Sequence, residues 1–394
     1  MSTSLDQMSP TEVGERLRIA REGARVTQAA AAAGIGLART TLVAIEQGLR
    51  RVRINELQQF AKLYNTTVNG LLRREAVQID LVPKFRKLSA NDDPAIEDAA
   101  RLLNDLVKAE VELENLLGVQ RVRQYPQERP ILPGDVRAQA EQDAWELRQW
   151  LGLGLSPISD IVTLLELQLG ARVYVRRLNG KISGLFAYED SVGPCILLNA
   201  SHRRDRRTQT GAHELGHFIS TRRDSDALED STPEGSREER YANAFARAFL
   251  TPDRAVRQKF QEITAGSPRL TRRHIIVLAH AFGVSREAMI RRLEELGLTK
   301  TGTWDWFEAN GGITDEQARQ VIGNSASDDP QKADADRPLS LRLGLLAEES
   351  WRQGLLSEGQ LARLLHLDRI EVREMLDGLN IDEGEADEAP KLSN

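Results

Sequence analysis

Along the first 75 residues, apolar positions such as Val13, Leu17 and Ala20 recur at helical spacing, and the run is broken by GAR, GIG, QGLRR and NTT. That period, punctuated by glycine and polar residues, predicts a compact all-α unit of five short helices. After Leu88 the polar segment SANDDPAIED gives way to Ile96, Leu102, Leu103, Leu106, Val107, Leu113, Leu116 and Leu117. These predict an amphipathic helix, read as a link between domains and as a seam on which two copies of the chain pair. Three prolines in QYPQERPILPGD break the helix, and helical patterning resumes around Trp145 to Leu151.

From Ile158 the pattern changes. A helix runs through Leu169 and stops at Gly170, and then ARVYVR, ISGLFAY and PCILLN predict three short strands. A helix over 204–220 follows, then the acidic, turn-rich stretch DSDALEDSTPEGS, then a helix over 237–250, with helices dominating onward to Gly297. NSASDDPQKADADRP reads as a linker, residues 339–379 as a last helical piece, and DEGEADEAPKLSN as a disordered tail. Within the last helical piece, LLSEGQLARLLHLDRIEVREML has a helix-turn-helix rhythm. Its acidic residues favour packing or protein contact over DNA.

Composition narrows the class. A chain of 394 residues is long enough for two or three domains, and 40% hydrophobic with 28% charged residues excludes a fibrous or wholly disordered protein. The amino-terminal residues lack an apolar core behind a basic start, and no later run approaches the ~18 apolar residues of a membrane span, so a cytoplasmic protein with no membrane partner is expected. The single cysteine, Cys195, lies in PCILLN and reads as a buried small hydrophobe. Net charge is −6, but residues 11–75 carry eleven Lys/Arg against six Glu, which is +5 and leaves −11 for the remainder. A basic module on an acidic body suits one end to a polyanion.

The sharpest chemical signal is His213-Glu214-Leu215-Gly216-His217, an H-E-x-x-H pattern. Four residues advance about 400° along a helix, so both imidazoles share one face and can reach one metal ion. Glu214 falls beside that face, where a carboxylate can act as a general base without being a ligand. The following helix, SREERYANAFARAFLTP, offers Glu238 and Glu239 as the third ligand. Zinc fits a His/His/Glu set best, with manganese and iron as alternatives. Tyr241 and His202 are candidate oxyanion donors, and Asn243, one turn beyond Glu239, a candidate to orient a ligand histidine.

HELGHFI followed by E-x-x-A-N-x-F-A resembles the ImmA/IrrE family of metallopeptidases, and the resemblance extends over residues 140–297. It implies a zincin-like fold, a Zn2+ cofactor, and Glu239 as third ligand beside His213 and His217. EVGERLRIAREGARVTQAAAAAGIGLARTTLVAIEQGLRRVRINELQQFAKLYNTTVNGLL resembles the XRE helix-turn-helix domains of phage repressor and Cro type. In that resemblance TQ opens the second helix, GIG is the turn and LARTTLVAIEQG is the recognition helix. Arg39, Thr40, Thr41 and Ala44 then face the major groove, with Gln28, Arg50, Arg51 and Arg53 near phosphates.

The expected architecture is multidomain and mainly α. An all-α helix-turn-helix domain over residues 8–75 precedes a helical linker over 76–139 and an α+β peptidase domain with a small sheet over 140–298. A helical region over 299–380 and an acidic tail over 381–394 complete the chain. The expected function is that of a zinc metallo-endopeptidase, bound to duplex DNA as a homodimer, that cleaves a repressor or antitoxin-like partner protein. The alternative is a transcription factor whose peptidase-like domain only senses a ligand or binds a partner.

Overall fold

The structure, a computed structural model, describes residues 9–24, 26–64, 81–86, 94–222, 226–229, 236–323 and 339–379. The chain divides into two compact units, Met1–Gln78 and Ile79–Asn394.

In the first unit the described helices are α1 (Pro10–Gly23), α2 (Gln28–Gly34), α3 (Arg39–Glu46) and α4 (Ile54–Leu63). The fifth predicted helix lies outside the described residues. Thr27 starts α2 by accepting the Ala30 amide at 3.2 Å, which satisfies one of the amides that a helix start leaves open. The alanine run divides between two environments: Ala31 and Ala32 are buried with Val13, Leu17, Leu42, Ile45, Leu57 and Phe60, while Ala29, Ala30 and Ala33 are exposed. Helices α1 and α3 approach so closely that a Cβ at Gly14 would lie 2.3 Å from the Ile45 carbonyl oxygen, so only glycine fits. A buried ion pair, Arg21 Nε to Glu46 Oε1 at 2.6 Å, ties the same two helices.

The second unit is built on a four-stranded sheet of β1 (Arg172–Arg176), β2 (Ile182–Glu189), β3 (Gly193–Asn199) and β4 (Asp226–Glu229), in the order β1-β3-β2-β4. Strand β1 is parallel to β3, and β2 is antiparallel to both β3 and β4. Three strands coincide with the predicted ones. The fourth falls inside the stretch read as turn-rich: four residues held by backbone pairing carry too little apolar alternation to announce a strand. Side chains alternate across the sheet with period two. Val173, Phe186, Ile196 and Leu198 enter one core, and Tyr174, Leu185, Cys195 and Leu197 enter the other. With both faces covered, the strands read as continuous apolar runs.

On the first face lie α7 (Val136–Trp150), α8 (Ile161–Thr163) with a π-helical turn at Leu164–Gln168, α9 (Arg204–Ser220) and α10 (Arg237–Leu250). Helices α11 (Asp253–Thr264), α12 (Arg272–Phe282) and α13 (Arg286–Glu295) extend that core, followed by α14 (Thr303–Ala309) and α15 (Asp315–Ile322). The opposite face is covered by α5 (Val82–Arg86), α6 (Pro94–Leu117), α16 (Leu341–Arg352), α17 (Glu358–Leu365) and α18 (Arg369–Leu379).

Helix α6 therefore differs from its reading as a linker and pairing seam. Leu103, Leu106, Val107 and Leu113 are fully buried in its own chain, so the stripe is not available to a second copy. Its Glu110 and Glu114 also receive Arg172 of β1, at 3.2 and 2.7 Å, and Glu114 receives Arg342 of α16 at 2.9 Å. The carboxy-terminal helices with helix-turn-helix rhythm likewise serve packing, through Leu343, Leu346, Leu361, Leu365, Val372 and Leu376. The predicted linker over 324–338 and the acidic tail lie outside the described residues. Among the described residues no single helix is long and apolar enough to cross a membrane.

Candidate metal centre

Helix α9 is buried without interruption from Thr210 to Ser220, which is unusual for a helix carrying two histidines and a glutamate. Buried polar groups need partners or a bound ion, and here the two imidazoles converge with a carboxylate from the next helix. His213 Nε2 and His217 Nε2 lie 3.1 Å apart. Glu239 brings its two carboxylate oxygens to 3.5 Å from His213 Nε2 and 3.2 Å from His217 Nε2. Among the described residues these three form the group able to hold a metal ion, with their ligand atoms all within 4.8 Å of one another.

The crossing of α9 and α10 makes that convergence possible. A Cβ at Gly216 would lie 3.0 Å from Ala242 Cα and 3.3 Å from the Phe245 ring, so a small residue on each helix lets the backbones touch. Ser236 caps α10, its hydroxyl accepting the Glu239 amide at 3.1 Å. Glu239 thereby sits in the first turn facing α9, while Glu238 is exposed. Of the two glutamates the sequence offered, Glu239 is the one brought to the imidazoles.

The remaining ring nitrogens are also engaged. His213 Nδ1 lies 3.1 Å from Asn243 Oδ1, which can only accept, so Nδ1 carries the proton and Nε2 keeps its lone pair for a metal. The Thr221 hydroxyl points at the His217 carbonyl and lies 3.4 Å from His217 Nδ1, favouring the same tautomer. Thr221 was not singled out in the sequence, although its position one turn after His217 was visible. Asn243→Ala is expected to weaken metal binding about 10- to 100-fold, read by competition with a chelator of known affinity.

Burial, and then the neighbouring His217, push the His213 imidazole down to about 3. Burial opposes ionisation of Glu239, but the two imidazoles beside it, His217 first, hold the carboxyl below its ordinary value. Both shifts keep the ligands in their metal-binding forms at neutral pH. They also set a sign for stability. Below about pH 6.5 the unfolded chain takes up a proton at His213 that the folded chain refuses, so the metal-free protein is expected to lose stability as pH falls. The slope for that one proton approaches about 1.4 kcal/mol per pH unit. Thermal denaturation with chelator present, from pH 7 to pH 5, measures it.

A family model of the IrrE N-terminal-like domain matches residues 167–294, and a model of a helix-turn-helix domain matches residues 12–75. The chain carries a helix-turn-helix domain followed by an IrrE N-terminal-like domain. It thus joins a DNA-binding module to a peptidase-like one, as the two sequence resemblances imply. No curated protein matches the chain.

Within the IrrE N-terminal-like domain Glu214 is fully buried, one residue from His213. The two oxyanion candidates do not join the cluster. Tyr241 is fully buried, and its hydroxyl donates to Asp143 of α7 at 2.8 Å. His202 lies before α9 with Nε2 3.3 Å from the Gly180 carbonyl oxygen. The Tyr241 hydroxyl is thus committed to the scaffold.

In the helix-turn-helix domain Arg39 and Thr40 are exposed on the first turn of α3, with Thr41 and Ala44 half-buried behind them. Arg51 and Arg53 are exposed in the segment before α4. Two of the predicted contacts have partners inside the domain. Gln28 donates to Glu46 at 2.8 Å, and Arg50 forms a two-pronged pair with Glu56 at 2.8 and 3.2 Å.

Proposed function

We propose that this protein is a DNA-bound regulatory zinc endopeptidase that cleaves a repressor or antitoxin-like partner protein. The observation that carries the reading is a fully buried Glu214 beside His213 in a cluster of two imidazoles and a carboxylate. Under this proposal His213, His217 and Glu239 hold the ion. Zinc, when bound, would polarise a peptide carbonyl and acidify a water molecule. Glu214 takes the proton from the attacking water and delivers it to the leaving amine. Asn243 and Thr221 keep the two imidazoles in the tautomer that presents Nε2.

The helix-turn-helix domain supplies location. Helix α3 enters the major groove with Arg39, Thr40, Thr41 and Ala44, while Arg51 and Arg53 neutralise phosphates. Gln28 and Arg50 act through the carboxylates that hold them, fixing α3 and the following segment in place. A domain of this size makes few contacts, so a homodimer on paired half-sites is the proposed binding form. Holding a peptidase at an operator raises its effective concentration near a repressor bound there.

The test is to purify the zinc-loaded protein, incubate it with the products of neighbouring genes, and look for new termini by intact-mass spectrometry. A discrete cut in one partner supports the proposal. Intact partners throughout, with a full complement of zinc, would count against it.

A further inference from the structure

Strand β2 passes the Glu214 carboxylate at main-chain distance. A Cβ at Gly184 would lie 2.6 Å from Thr210 Cγ2, 3.1 Å from Glu214 Oε1 and 3.2 Å from the Leu197 carbonyl oxygen. Thr210 and Glu214 are one turn apart on α9 and so share the face that meets the sheet. Gly184 pairs with Leu198 of β3 on one side and Leu228 of β4 on the other, and the β2–β4 register is irregular between Ile182 and Gly184. Its backbone is not among the left-handed glycines of the chain, so the demand for glycine here is one of space rather than of φ.

We infer that Gly184 is a positioning residue, whose missing side chain forms the seat of the Glu214 carboxylate and fixes that group relative to His213, His217 and Glu239. The catalytic meaning of the seat rests on the proposed peptidase reading; the seat itself does not. A methyl group at 184 meets the Leu197 carbonyl oxygen at 3.2 Å and two side-chain obstacles that can be separated by substitution. One is the Thr210 methyl, a matter of packing between β2 and α9. The other is the carboxylate, which at 3.1 Å from that methyl must give by a few tenths of an ångström, and a shift of that size slows a step that needs a positioned base.

The experiment compares wild type, Thr210→Ser, Gly184→Ala and Gly184→Ala/Thr210→Ser, all zinc-loaded and full length. Thr210→Ser removes the methyl and is expected to behave as wild type. The double variant is expected to regain wild-type thermal stability and one zinc per chain. Its crystal structure should nonetheless show the Glu214 carboxylate displaced by a few tenths of an ångström, and its kcat on the cleaved partner should be lower by roughly 3- to 10-fold at unchanged KM. A double variant with Glu214 unmoved and wild-type kcat would overturn the inference, leaving Gly184 with a packing role alone. So would a double variant that does not fold, because the approach of the Leu197 carbonyl oxygen rather than the carboxylate would then dictate the glycine. If wild type cleaves nothing, the peptidase reading fails, and the position of Glu214 in the crystal structures still decides the seat.

Discussion

Glu214→Gln is expected to keep one zinc ion bound and to lower the rate of partner cleavage by about 100- to 10,000-fold. The side chain is fully buried beside the three groups able to hold a metal, yet is not one of them. Glutamine preserves shape and removes basicity, so it deletes a proton transfer without deleting a coordination bond. Metal content by atomic absorption and cleavage by mass spectrometry are read on the same sample. A glutamine variant that cuts at the wild-type rate would remove Glu214 from the mechanism.

Glu239→Ala is expected to lose metal and activity together, while Glu238→Ala keeps both. Glu239 holds both carboxylate oxygens within 3.5 Å of the imidazoles, whereas Glu238 faces solvent. Removing a direct ligand should exceed the roughly 10- to 100-fold loss typical of a residue that only orients one. After dialysis against a weak chelator, Glu239→Ala should retain no stoichiometric zinc. Zinc retained by Glu239→Ala and lost by Glu238→Ala would move the ligand assignment by one residue.

How much of this was legible in the sequence depended on whether the signal was periodic. The spacing of His213 and His217 places them on one helix face by geometry alone, and the apolar runs at β1 to β3 announce strands. The choice between Glu238 and Glu239 was not periodic. In the sequence only the family resemblance pointed to Glu239; in the structure its place follows from the local cap by which Ser236 starts α10 and from the tertiary crossing of Gly216 on Ala242. Helix α6 shows the opposite failure: its stripe of Leu103, Leu106, Val107 and Leu113 was plain, but an apolar stripe does not say whether its cover is the same chain or another. Strand β4 was hidden because backbone pairing to β2 needs no particular side chains. The sequence leaves Tyr241 open between a core aromatic and an oxyanion donor; Asp143, 98 residues earlier in the chain, accepts its hydroxyl and favours the first.

In the proposed function proteolysis, not occupancy of the pocket, carries the regulatory signal. A reporter driven by the target promoter, compared between wild type and Glu214→Gln in cells, tests it most directly, with zinc content checked in both. Induction is expected to be abolished in the Glu214→Gln strain although the protein is zinc-loaded and binds the operator as wild type does. Equal reporter responses in the two strains would contradict the peptidase mechanism even with the metal site intact.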